Sequence, residues 1–207
     1  MSDTARPSSD IAFTQSVKAL QTRNGSRPSY ARMEERGGWA THITPELAAF
    51  IAERDSLYLA TVNSEGQPYI QHRGGPRGFL KPLDDQRLVM ADFRGNRQFI
   101  SQGNLLDSRK AFLFLMDYAA RRRIKIWGEA EMIEGDEALL AAAMPDGYHA
   151  IPERVLVFTV KAWNANCPQH IPRKIDADEV AVLLEARDRE IAALRARINV
   201  LETGATS

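Results

Sequence analysis

The spacing of hydrophobic positions changes character along the chain. Before Thr44 they are sparse, from Leu57 to Ala162 they come in short β-like runs, and beyond Asp176 they recur every three or four residues. The clearest alternation is Ile124–Glu134. There Ile124, Ile126, Gly128, Ala130 and Met132 face one way, and Lys125, Trp127, Glu129 and Glu131 the other. Leu57–Val62 and Gln67–His72 flank the turn Asn63-Ser64-Glu65-Gly66 and predict a β-hairpin. Arg87–Phe93, Ala111–Asp117 and Val155–Ala162 bring the strands to six. Asn96–Leu106 and Asp136–Met144 read as short helices, the second stopped by Pro145. Tight turns between strands, without regular crossover helices, predict an α+β, mostly β, fold. Its antiparallel sheet closes as a barrel instead of forming a doubly wound sheet.

The flanks differ from this centre. Asp10 is expected to cap a helix that Asn24-Gly25 ends, and 24–38 reads as loop. Thr44-Pro45-Glu46 starts a helix carrying Leu47, Phe50 and Ile51 on one face. In the tail, Val180, Leu184, Arg187, Ile191, Leu194, Ile198 and Leu201 alternate spacings of four and three, a heptad seam with one polar intruder. That C-terminal amphipathic helix either packs on its own domain or pairs with the same helix of a second subunit. The expected division is 1–43 as an N-terminal arm, 44–172 as the barrel domain, and 173–207 as the C-terminal helix.

Composition narrows the function classes. The longest strictly apolar runs, 111–116 and 138–144, are far short of the ~20 residues a membrane helix needs. No apolar signal region follows the first methionine, and the single cysteine, Cys167, excludes an internal disulfide. Both predict a cytoplasmic protein. Net charge is zero, yet 73–125 holds twelve Lys/Arg against five Asp/Glu, a local excess of seven positive charges. A basic centre in a neutral chain predicts a specific anionic ligand. No series of aromatic residues interleaves with these arginines, so a nucleic-acid partner is not expected.

Four segments carry candidate chemistry. In His72-Arg73-Gly74-Gly75-Pro76-Arg77-Gly78-Phe79-Leu80-Lys81, glycines allow close backbone approach and cations converge. It is either a solvated turn or a phosphate cradle with Arg73 and Lys81 as charge partners. Pro82 and the spacing exclude a dinucleotide fingerprint. In Phe93-Arg94-Gly95-Asn96-Arg97-Gln98, a glycine after a strand leads into a helix N-terminus, an anion site to which Arg97 adds charge. Arg121-Arg122-Arg123 is a hairpin tip whose last arginine opens a strand. Asn166-Cys167-Pro168-Gln169-His170 reads as a polar loop closing over a ligand. A Cys167–His170 nucleophile pair and half of a metal site are the alternatives, and with no second ligand pair no metal is expected.

Together these motifs resemble the pyridoxamine 5′-phosphate oxidase-like, FMN-binding split-barrel family over roughly 44–170. The resemblance rests on Leu59-Ala60-Thr61-Val62, Gln71-His72-Arg73-Gly74-Gly75, Gly78-Phe79-Leu80-Lys81, Asp92 through Gln98, and Ile126-Trp127-Gly128. It implies a six-stranded antiparallel Greek-key split β-barrel and a homodimer with FMN at each of two subunit-interface sites. It implies that Arg73 and Lys81 form the first phosphate pair, across a longer spacing than in the oxidases proper. Asn96 and Arg97 form the second, with Asn in place of a cation. Asp92 would line the flavin through strand backbone and Arg123 would lie near its ring. Gln71, His72 and Gln98 complete the implied site, and Cys167, Gln169 and His170 would reach it from across the interface. The oxidases' Arg-x-His motif is missing: Arg173-Lys174-Ile175-Asp176 does not match it, and Cys167-Pro168-Gln169-His170 stands nearby instead. The expectation is therefore an FMN-dependent oxidoreductase of some other small-molecule substrate. Its rivals are a non-catalytic flavin or haem binding or storage protein, haem being held through His72 or His170, and a deazaflavin enzyme.

Overall fold

The computed structural model describes residues 6–166 and 168–204. A short 3₁₀ turn (Ser8–Ile11) precedes α1 (Gln15–Arg23), α2 (Arg27–Glu35) and α3 (Pro45–Ala52). Then come β1 (Ser56–Val62), β2 (Pro68–Gly74), β3 (Lys81–Pro82), β4 (Arg87–Phe93), α4 (Ile100–Asp107), β5 (Lys110–Asp117) and β6 (Arg122–Ile133). The chain continues through α5 (Glu137–Ala143), β7 (Pro152–Asn166) and α6 (Ala177–Gly204). No helix among the described residues is long and apolar enough to cross a membrane. The chain divides into two compact units, Met1–Asp117 with Arg122–Pro168, and Tyr118–Arg121 with Gln169–Ser207.

The first unit is built on one antiparallel sheet in the order β2-β1-β5-β6-β7-β4-β3. The count is seven where the sequence reading expected six, because Lys81–Pro82 pairs with Leu88 and Val89 as an edge ladder too short to show a period. Alternation along each strand sorts the two faces. Leu57, Leu59, Leu113, Leu115, Ile126, Leu156 and Phe158 point inward with Leu88 and Met90, and α3 closes that core with Leu47, Phe50 and Ile51. Thr44 starts α3 as expected, its hydroxyl accepting from Leu47 N at 3.3 Å. A satellite core of Val89, Ala91, Val155 and Val157 lies under α5.

Two expectations for the N-terminal arm change. Thr14, not Asp10, caps α1, accepting from Val17 N, while Asp10 sits in the 3₁₀ turn and pairs with Lys18 at 2.5 Å. Residues 27–35, read as loop, form α2, whose Arg27 pairs with Glu34 and donates to Gln21 Oε1 at 2.9 Å. No residue of α2 is buried, so it has no apolar stripe to betray it. The arm lies on the outer face of the sheet, where Trp39 stacks on Trp127 with centroids 4.7 Å apart. Ala40 bridges Trp163, whose indole N–H donates to His42 O at 2.8 Å.

In the second unit, Lys174 Nζ lies 4.3 Å from the Tyr118 ring centroid. α6 follows from Ala177, and its described side chains from Ala177 to Thr203 are all solvent-exposed.

Candidate functional site

The pocket grows from the period of β2. Tyr69, Gln71 and Arg73 are half-buried on one face of that strand, while Ile70 and His72 are on the other, where the His72 ring packs edge-on against Tyr58. Opposite stand the ends of β4 and β7, which pair Asp92 with Arg154. Arg73 reaches from β2 to the Asp92 carboxylate, and Arg154 Nε lies 3.3 Å from the other Asp92 oxygen. β2 and β4 are not neighbours in the sheet, so the Arg73–Asp92 pair joins strands that no backbone ladder joins.

The loop after β4 and the first turn of α4 supply the remaining wall. Asn96 Oδ1 accepts from Gln98 N at 3.3 Å and shapes the turn. Arg97 and Phe99 are both held in the left-handed region, at φ 58° and 56°. Such strain in non-glycine residues costs on the order of 1–3 kcal/mol each and clusters at functional sites. Phe99 occupies the N-cap position of α4 with no side-chain cap, so the first-turn N–H groups are uncapped, and Ile100, Ser101 and Gln102 of that turn line the pocket. Ser101 donates to Gln71 Oε1 at 2.8 Å and Asn104 Nδ2 to Thr61 Oγ1 at 2.9 Å, which fixes α4 against the β1–β2 hairpin. The guanidinium groups of Arg97 and Arg154 lie 5.8 Å and 5.4 Å from the Phe99 ring centroid.

Three arginines line the pocket, Arg73, Arg97 and Arg154, with the carboxylates Asp92 and Glu153; outside the lining, Arg94 pairs with Glu153 and Glu134 lies 3.7 Å from Arg154. Glu153 accepts from Arg94 Nε at 3.1 Å and Arg154 Nη2 at 2.7 Å, and these bonds, Arg94's first, hold its carboxyl below the ordinary glutamate range. Arg73 Nε is buried and has no hydrogen-bond partner. The cavity measures about 60 Å³. That admits a phosphate-sized group but falls well below the ~300 Å³ at which small-molecule pockets begin. The arrangement can bind a compact anion through charge, uncapped N–H groups and an orphaned buried donor.

Six of the residues singled out from sequence line this pocket together: Gln71, Arg73, Asp92, Asn96, Arg97 and Gln98. His72 is on the opposite face of β2. Lys81 Nζ donates instead to Met144 O at 2.6 Å and Ala142 O at 3.2 Å, capping the carbonyl end of α5. Arg123 is on the outer face of β6, opposite Met116 and two residues from Lys125. Burial, then Arg123, pushes the Lys125 ammonium below the usual lysine range. Gln169 and His170 are exposed and belong to the second unit; Cys167 lies outside the described residues. No cluster of three metal-ligating side chains occurs among the described residues.

The reading of the sequence missed Arg154, Ser101 and Gln102. Arg154 carried a legible signal: it shares the inward parity of Leu156 and Phe158 on β7 and is only 8% exposed. A cation at a core position needs a carboxylate partner.

No curated protein matches the chain in sequence. Solved structures do, at low identity. HupZ of Group A Streptococcus is 23% identical, with 64% of this chain and 99% of that one covered, at a TM-score of 0.49. A putative pyridoxamine 5′-phosphate oxidase from Lactobacillus delbrueckii is 20% identical over 60% and 95% of the two chains, at 0.46. An FMN-binding protein from Syntrophomonas wolfei is 16% identical over 70% and 97%, at 0.45. A family model for pyridoxamine 5′-phosphate oxidase matches residues 43–167, more than half of the chain and all of the sheet and the pocket before Cys167, and the chain belongs to that family.

Proposed function

We propose that this chain is an FMN-dependent oxidoreductase acting on a small-molecule substrate. In this reading the FMN phosphate sits in the pocket between β2, β4, α4 and β7, and a second subunit of a homodimer completes the flavin site. The sheet is then the family's split barrel, curled until Arg73 and Asp92 meet. The carrying observation is the buried, unpartnered Arg73 Nε in a phosphate-sized cavity with uncapped helix N–H groups. Arg73 and Arg97 hold the anion, Asp92 orients Arg73, and Arg154 keeps Asp92 in place. When bound, FMN supplies hydride transfer; the chain's residues fix its phosphate end and so the position of its ring.

The cavity's small volume supports an interface site, since the ring system must lie outside it. The outer sheet face supports the homodimer: Tyr58, Ile70 and His72 are exposed there beside Phe112 and Phe114. Haem finds less support, because no histidine lines the pocket.

The test is reconstitution of purified protein with flavin, followed by release and identification. The yellow flavin absorption and FMN on release are expected. Release of FAD, or a haem spectrum, overturns the reading. Pyridoxamine phosphate should be turned over far below the ~1 per second at which typical enzymes operate, because the Arg-x-His motif is missing. Steady-state turnover at ordinary rates would contradict that.

A further inference from the structure

We propose that the seam of α6 pairs antiparallel with α6 of a second copy of this chain, with Ile191 facing the partner's Leu194. The inference is independent of the flavin reading. α6 spans Ala177–Gly204, about 42 Å at the rise of an α-helix. Its seam of Val180, Leu184, Arg187, Ile191, Leu194, Ile198 and Leu201 is exposed along its whole length. Helices in proteins draw most of their stability from packing an apolar face, and this seam has none of it covered within the chain.

Charge selects the occupant, the direction and the register. Of the charged positions that flank the seam, Asp188 and Glu190 lie in the N-terminal half and Arg195 and Arg197 in the C-terminal half, with Glu202 beyond them; Asp178, Glu179, Glu185 and Arg189 lie away from the seam. The flanks of the seam are therefore complementary to a reversed copy of themselves. With Ile191 facing the partner's Leu194, Leu184 faces the partner's Leu201. Glu190 then lies beside the partner's Arg197, and Asp188 beside the partner's Arg195. Two-fold symmetry repeats each pair. A shift of one heptad in one direction sets Glu190 and Asp188 against their own copies. A shift in the other sets Arg197 and Arg195 against theirs. A parallel pair retains attractive flanks but places Arg187 against Arg187 inside the seam. In the antiparallel pair Arg187 faces the partner's Ile198. Glu190 already draws the Arg187 guanidinium to the flank at 3.0 Å, leaving the aliphatic stem over the seam.

Cysteine cross-linking of the full chain in a C167S background tests this. The L184C and L201C variants, each with a tag of different mass, are oxidised alone and after co-expression. Both positions are exposed, so folding is not at stake. The expected result is a disulfide joining the two tags, with none in either variant alone. Cross-linking of L184C to itself would overturn the antiparallel arrangement, and absence of cross-links throughout would overturn pairing. The charge reversal D188R/E190R should abolish the mixed cross-link, and adding R195E/R197E should restore it. A cross-link indifferent to both changes would overturn the charge-set register.

Discussion

Asp92 is the hinge of the pocket, because its carboxylate is shared between Arg73 from β2 and Arg154 from β7. Glu153 plays the corresponding part for Arg94 and Arg154, and this has a pH signature. Its carboxyl is held below the ordinary range, so its stabilising contribution is fully present above about pH 4.3 and is lost as pH falls through the lowered folded value. E153Q should therefore melt below wild type at neutral pH, the two curves converging as the pH falls below the ordinary glutamate range. Melting temperature across that range checks it; parallel curves would contradict it. Arg73 and Arg97 were legible because short glycine-rich motifs carry their neighbourhood in the sequence; Asp92 came only from the family resemblance, which implied its backbone and not the carboxylate that meets Arg73. Arg154 was overlooked although its inward parity was legible, because the strand reading began one residue after it and its carboxylate partner Asp92 appears only when β4 and β7 pair.

Among the elements, β6 shows what sequence period reveals and what it hides. Its alternation predicted a strand with Gly128 inward, and Gly128 is indeed buried beside a bulge between Trp127 and Gly128. A Cβ there would run into the Thr159 carbonyl oxygen and lie within 2.8 Å of Phe158 Cζ. G128A should cost about 3 kcal/mol, the upper end for overpacking, measurable by denaturant unfolding. A loss below about 1 kcal/mol would show that β7 yields easily. The hairpin, α3, α5 and the strands from β4 on were legible from turns, caps and alternation. α2 was not, because ion pairs to Glu34 and contacts with α1 hold it where no apolar stripe exists. The two-residue β3 was equally hidden, being defined by its partner β4 alone.

At the scale of the whole molecule, a phosphate-sized pocket holding a cofactor larger than itself requires a second subunit to cover the flavin ring. Light scattering should give a dimer for the full chain. Deleting 177–207 should lower stability while leaving the dimer intact, because the sheet face Tyr58, Ile70 and His72 remains. A truncated monomer would assign the association to the tail instead. The most direct test of the central claim is titration of the apo-protein with FMN, comparing wild type and R73Q by quenching of flavin fluorescence. Loss of one charge-assisted contact is worth ~1.5–3 kcal/mol, so R73Q should bind FMN roughly 10- to 150-fold more weakly with its fold unchanged. Equal affinity in the two proteins would contradict the assignment of the pocket to the FMN phosphate.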